Sequence, residues 1–274
     1  MECVDCGSAD VTERRDRTAK GYRRFRCRAY GRGFNERSSG VLSRAQYPSD
    51  VVALVVLWRL RNRLTLRDLT EMFLVRGIVF SHEAVRDWEA KLAPVLTSGL
   101  RQRRRAKGGP GRRSWHVDET YLKVRGRWCY LYRAIDRNGD LVDSMLSEHG
   151  DMAAAQAFLR SAKSATGIVP DRVTTDGHGS YPRAIHSTLG RRVTHRTNVF
   201  KNNGLEQDLR GVEGRIRCMR GFKSFTSADR FCRSYDELRN HLRPRVRHNQ
   251  QVPASRRVIH LRRAAAVLAI LEGA

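Results

Sequence analysis

Trp115–Asp136 reads WHVDETYLKVRGRWCYLYRAID, two runs of strand-forming residues that open a central sheet. Asp has poor strand propensity and is seldom buried without a partner, so Asp118 stands out in the first run. Alternate side chains of a strand share a face. His116, Asp118 and Thr120 point one way; Val117, Glu119 and Tyr121 point the other. Asp118 is therefore not expected to pair with Glu119 as a local dyad. Its acidic partners are expected from elsewhere in the chain. Taken alone, Asp118 is more simply a carboxylate hydrogen-bonded at a strand edge.

Downstream, Asn138-Gly139 is a hairpin signal, and LVDSMLS follows as a third strand. Asp151 caps an Ala-rich helix to about Ala165. Pro170 precedes a fourth strand, RVTTD, which ends at Asp176 with Gly177 and Gly179 beside it. A short helix, YPRAIHSTL, and a polar strand, RRVTHRT, come next. Asn202-Asn203 then leads into a long helix, LEQDLRGVEGRIRCM. The order β-β-β-α-β-α-β-α over residues 114–250 predicts an α/β fold, a mixed sheet flanked by helices. On the long helix Glu206 and Glu213 share a face and Asp208 lies opposite. Asp118, Asp176 and an acid of this helix can thus converge although distant in sequence. GFKSFTSADRFCRSYDELRNHLRP reads as a helix packed on the sheet, and residues 251–274 as a basic C-terminal helix.

Upstream, Arg101–Arg113, RQRRRAKGGPGRR, reads as a basic linker, because Gly-Gly-Pro-Gly breaks helix and strand alike. Arg101, Arg103, Arg104 and Arg105 are expected to follow a phosphate backbone. Residues 43–100 read as helices. Pro48, Ser49 and Asp50 start VVALVVLWRLR. LTLRDLTEMFLVRG carries Leu66, Leu69, Met72 and Phe73 at helical spacing and stops at Gly77. Ser81 caps HEAVRDWEAKLAPVL. Helix, glycine turn and capped helix follow the helix-turn-helix order, a pattern that small helical bundles share. His82, Glu83 and Arg86 are the exposed candidates for DNA contact; Val85, Trp88 and Leu92 are expected in the core. In residues 1–42, Cys3-x-x-Cys6 is one knuckle of a zinc ribbon, and Cys27 opens a second. Tyr30 stands where its other thiolate belongs, so Cys3, Cys6 and Cys27 are a zinc candidate lacking a fourth ligand. The plainer alternative is a basic hairpin with reduced cysteines.

The chain has 274 residues, with 53 Lys and Arg against 28 Asp and Glu, a formal net charge of +25. That excess points to a polyanion, most simply nucleic acid. An acidic membrane surface is the other reading, but no basic amphipathic anchor stands out. Val51–Trp58 and Ala264–Leu271 are too short to span a bilayer. The opening MECVDCGS has no apolar signal core, so a cytoplasmic, nucleoid-associated protein is expected.

WHVDETYLKVRGRWCYLYRAID, TTDGHGSYPRAI, NNGLEQDLRGVEGRIR and GFKSFTSA together resemble the bacterial DDE transposases of the IS-six insertion-sequence family, over nearly the whole chain. The resemblance implies an RNase H-like core behind a zinc-ribbon-like module and a helix-turn-helix module. It assigns the catalytic, metal-binding acids to Asp118, Asp176 and Glu206, and it favours Glu206 over Glu213. It implies a prokaryotic enzyme that binds terminal inverted repeats, nicks the ends and joins 3′-hydroxyls to target DNA. It also implies a homodimer or higher multimer and cointegrate-type products. Arg210, Arg217 and Lys223 join the candidate DNA contacts. Two divalent ions, Mg²⁺ or Mn²⁺, suit such in-line displacements at phosphorus, and carboxylates suit those ions. The alternative is a transposase-derived DNA-binding protein without activity. Four departures from the family pattern bear on that choice: Tyr30, Leu209 in place of a His, Glu213 in place of a basic residue, and a short interval of 30 residues between Asp176 and Glu206.

Overall fold

The computed structural model describes residues 1–43, 45–105, 113–198, 203–243 and 253–274, with side chains of the last two segments described from 211 and 255 onward. The first strands, β1 (Val11–Arg17), β2 (Arg23–Cys27) and β3 (Gly33–Asn35), form a small antiparallel sheet rather than a lone hairpin. Its core is Cys3, Phe25, Cys27 and Phe34.

Three helices follow: α1 (Ser49–Arg61), α2 (Leu66–Leu74) and α3 (His82–Arg105). α1 is apolar almost all round, the pattern of a helix surrounded by protein. Val52, Ala53, Val55, Val56 and Leu60 are fully buried accordingly. Its N-terminus has Pro48 at the cap and no side-chain cap bond, so Ser49 and Asp50 do not cap it. α2 begins with a capping box: the Asp68 N–H donates to Thr65 Oγ1 at 3.1 Å, and the Thr65 N–H to Asp68 Oδ2 at 2.7 Å. Leu69 and Phe73 enter the core; Met72 stays on the surface. On α3, Val85, Trp88 and Leu92 are buried as expected.

The central sheet holds β4 (Ser114–Val124), β5 (Arg127–Asp136), β6 (Leu141–Ser147), β7 (Arg172–Thr175) and β8 (Thr194–Thr197), in the order β6-β5-β4-β7-β8. The first three are antiparallel neighbours; β7 and β8 run parallel to β4. This is the mixed sheet that the element order predicts, in the RNase H-like form that the resemblance implies. α4 (Met152–Thr166) and α5 (Tyr181–Leu189) cover one face, over Trp115, Val117, Tyr132 and Ala134. The other face carries Leu122, Val124, Leu131 and Leu146. It packs into the layer of α1, α3, α7 (Phe225–Leu242) and α8 (Pro253–Glu272). α6 (Asn203–Cys218) joins that layer through Val212. Among the described residues, no helix is long and apolar enough to cross a membrane.

The main departure concerns residues 101–105. They are not linker but the last turns of α3, because the apolar face of α3 continues to Leu100 and its arginines find partners inside. Residues 106–112, with the Gly-Gly-Pro-Gly break, lie outside the described residues. Glu237, only 1% exposed, accepts from Arg104 at 2.7 Å and from Arg101 at 3.0 Å. Arg101 also pairs with the buried Asp143 on β6. Arg133 and Asp236 form a second buried pair at 2.9 Å. These pairs tie α3 and α7 to the sheet. Removing one partner of such a pair strands a buried charge, at a cost of roughly 3–5 kcal/mol. Glu237→Gln is therefore expected to lower the unfolding free energy by about 3 kcal/mol. Urea titration measures it, and an unchanged midpoint would rule out a stabilising role for the pair.

Candidate active site

β7 pairs with β4 only from Ser114↔Arg172 to His116↔Thr174. Beyond His116 that edge of β4 has no β7 beside it, and β7 itself ends at Thr175. Asp118 and Glu119 stand on the open edge, and Asp176 is the first residue past the end of β7. One carboxylate oxygen from each of the three lies within 4.8 Å of the others. Gly177 turns the chain away at φ +105°, where a Cβ would meet Thr197 Cγ2 at 2.6 Å. Only glycine meets both demands.

Asp118 and Asp176 are thus brought together as expected. The separation of Asp118 from Glu119 is not borne out: their carboxylates cluster. Alternation fixes where each Cβ points, not where a long Glu side chain ends at an open strand edge. The Glu119 N–H donates to Asp118 Oδ1 at 3.0 Å, and the His178 N–H donates to Asp176 Oδ1 at 3.2 Å. The fully buried Tyr181, on the first turn of α5, donates its hydroxyl to Glu119 Oε2. Burial foremost pushes the Glu119 carboxyl above its usual value; Asp176 adds to this, while the Tyr181 bond and His178 oppose it. Burial and then the Glu119 charge push the Tyr181 phenol up in turn, so it stays a donor. Glu119, His178 and Tyr181 carried no separate sequence signal beyond standing in the two motifs that hold Asp118 and Asp176. α6 carries Glu206, whose side chain lies outside the described residues, as do those of Asp208, Leu209 and Arg210.

Residues 112–245 match the DDE domain of the IS240 type. The transposase for insertion sequence-like element IS431mec of Staphylococcus aureus is 32% identical over 174 residues, which cover 62% of this chain and 75% of that protein. The chain belongs to the DDE transposases of the IS-six family. The transposase for insertion sequence element IS257 in transposon Tn4003, also from Staphylococcus aureus, matches with the same identity and coverage. Among solved structures, the catalytic domain of Mos1 mariner transposase aligns with a TM-score of 0.36 at 13% identity, over 66% of this chain and 91% of that one.

Elsewhere in the transposase, His82, Arg86 and Lys223 line one cavity of about 520 Å³ where α2 and α3 meet the loop after α6. Arg67 and Arg220, which sequence reading passed over, line it too. Glu83 is exposed and pairs with His82 at 2.6 Å. Arg217 and Glu213 are exposed on α6, while Arg215 is buried, its pKa lowered to about 10 by burial and then by Arg59. Arg103 and Arg105 are exposed at the end of α3. Arg104 is buried and Arg101 partly so, both held by the acids named above, which sets them off from a surface DNA contact. At the N-terminus the Cys3, Cys6 and Cys27 sulfurs lie within 4.8 Å of one another. The Tyr30 N–H donates to Cys27 Sγ at 3.3 Å, but its ring is exposed beneath Arg32.

The raised Glu119 carboxyl gives a pH signature. The folded chain binds that proton more tightly than the unfolded one. Stability from this group is present below the ordinary glutamate value, about 4.3, and is lost as pH rises through the folded value. Glu119→Gln keeps an acceptor for Tyr181 and removes the charge. In chelator, its urea midpoint is expected to exceed the parent's at about pH 8 and to match it at about pH 4. A midpoint below the parent's at the higher pH would mean that favourable contacts, not burial, govern Glu119.

Proposed function

We propose that this transposase binds the terminal inverted repeats of its element, nicks them and joins the 3′-hydroxyls to target DNA, with Asp118, Asp176 and Glu206 as the catalytic acids. The observation that carries the reading is the meeting of Asp118, on β4, and Asp176, just past the end of β7, at an open sheet edge. A cluster made only of carboxylate oxygens fits Mg²⁺ or Mn²⁺, which favour oxygen ligands. Asp118 and Asp176 would hold these ions, completed by Glu206. The bound ions would supply charge neutralisation at the phosphate and an activated attacking oxygen. Glu119, fixed by Tyr181, orients the backbone that carries Asp118. Glu213, seven residues beyond Glu206, stands about 10 Å further along the helix at 1.5 Å per residue, too far to share the same ions. Its exposed carboxylate faces outward, where it would repel phosphate.

DNA is the partner that the basic surface supports. His82, Arg86, Arg217 and Lys223 would contact the backbone from one side of the helical layer. A dimer or higher multimer on DNA follows from the need to hold two ends at once. Zn²⁺ at Cys3, Cys6 and Cys27 would take a water as fourth ligand. The work would be done on the nucleoid, in a prokaryotic cytoplasm.

Asp118→Asn, Asp176→Asn and Glu206→Gln are each expected to abolish Mg²⁺-dependent strand transfer while leaving end binding nearly intact; Glu213→Lys should preserve or raise activity. A cleavage assay on labelled ends reads both sets. Strand transfer by any of the three acid variants at the parent's rate would sink the assignment. End binding is also expected to fall about a thousandfold between 50 and 200 mM salt, and Arg86→Ala or Lys223→Ala should each reduce the salt slope by about one. A binding constant flat across that range would exclude a phosphate-dominated interface.

A further inference from the structure

The hairpin that carries Asp118 and Glu119 runs on past them, to a turn with Arg125 at φ 51° and Gly126 at φ 80°. Along one face of β4 stand Trp115, Val117, Glu119, Tyr121 and Lys123. The residues opposite Glu119, Tyr121 and Lys123 on β5 are Tyr132, Tyr130 and Trp128. The core beneath α4 reaches Tyr132, which stacks on Phe158, with the half-buried Tyr130 packed at its margin. Beyond it Tyr121 is 58% and Trp128 57% exposed. The opposite face, with Leu122, Val124 and Cys129, is buried, so the hairpin is held without the exposed Tyr121 and Trp128 rings. Tyr121 meets Trp128 at 6.3 Å and Tyr130 at 5.1 Å, both nearly edge-on. Lys123 Nζ lies 4.7 Å from the centre of the Trp128 ring. Lys123, Arg125 and Arg127 are all exposed, and the tip carries no acid.

We propose that this aromatic row seats an unpaired base of the DNA strand that enters the acidic cluster. The inference rests on the strand-transfer reading above. Exposed rings flanked by cations suit a partner that offers both a flat π-face and phosphate charge. A paired base hides its faces in the stack; a flipped or frayed one exposes them. Same-face residues of a strand are about 6.8 Å apart, so Tyr121 stands one such step from Glu119. A base seated there belongs to a nucleotide beside the phosphate met by the ions that Asp118 and Asp176 would hold. A second copy of the chain is the competing occupant, but the positive tip would meet an equally positive tip in a symmetric pairing.

A double-mutant cycle between ring and base tests this. Affinity is measured for the full chain on a duplex bearing the element's own terminal sequence. The same duplex is then made abasic, in turn, at each nucleotide flanking the cleaved phosphate. Trp128→Ala is expected to weaken binding of the intact end about tenfold. At one abasic position that penalty should disappear, and Trp128→Phe should retain most of the affinity. A Trp128→Ala penalty that is equal on intact and abasic DNA at every position overturns the proposal, as does no penalty at all. Loss of the multimer in Trp128→Ala by sedimentation, without coupling to any base, assigns the row to a second copy instead. Cleavage of the intact end by the parent protein is the control: its absence removes the strand-transfer reading, and this proposal falls with it for that separate reason.

Discussion

The three-residue pairing between β4 and β7 is the constraint on which the site depends. Parallel pairing from Ser114 to His116 fixes β7 beside β4. Had it continued for two more residues, Asp118 would lie inside a ladder flanked on both sides. Its carboxylate would then have to be desolvated or paired at the cost that buried charges carry. Because β7 stops, the edge is open, and Asp176 arrives within reach as the chain turns at Gly177. A strand end thus solves two problems at once: it brings a second acid close and leaves both accessible to a charged substrate. Tyr181 closes the arrangement from below, linking α5 to β4 through Glu119.

That edge can be held still only if the sheet is clamped on both faces. One face is a conventional apolar layer against α4 and α5. The other is shared with helices from both ends of the chain, α1 near the beginning and α8 at the end, in one continuous core. Buried ion pairs add direction to this non-directional packing. Glu237 receives two arginines from α3, while Asp143 holds one of them to β6. A guanidinium's fork geometry suits such a junction better than an ammonium would. The helices that line the basic cavity with His82 and Arg86 are therefore packed into the same core as the sheet.

Much of this was legible in the sequence. The strand and helix order from Ser114 onward was readable because turn signals are explicit: Asn138-Gly139, Asp151 and Gly177 each sit where the chain changes direction. LVDSMLS and YPRAIHSTL match β6 and α5 residue for residue. Two things were not legible. The end of α3 was hidden because RQRRR is as polar as a linker; what keeps it helical is a set of acids more than 35 residues away, Asp143 and Glu237. The clustering of Glu119 with Asp118 was hidden because face alternation is a rule about backbone direction. Whether a neighbouring strand covers the edge is a tertiary fact, and it decided the outcome.

The same distinction governs how the charge of the chain should be used. A formal +25 is a statement about the far field, which in physiological salt decays over about 8 Å. Arg59, Arg104, Arg133 and Arg215 contribute to that total yet are buried, each 9% exposed or less. They act as ties among the helices and between helices and sheet, and a substitution there would perturb folding before it perturbed binding. The exposed cations are grouped differently: around the cavity of His82 and Lys223, along α6, and at the tip of the β4–β5 hairpin. Net charge explains why a polyanion is drawn to the surface. It does not explain how a strand is delivered to three carboxylates that repel it. Delivery needs cations placed short of the acids, so that phosphate is held before the last step brings it among them. The hairpin meets that requirement because β4 carries Lys123 and Tyr121 toward its far end and Asp118 at its middle, with Trp128 and Tyr130 beside them on β5.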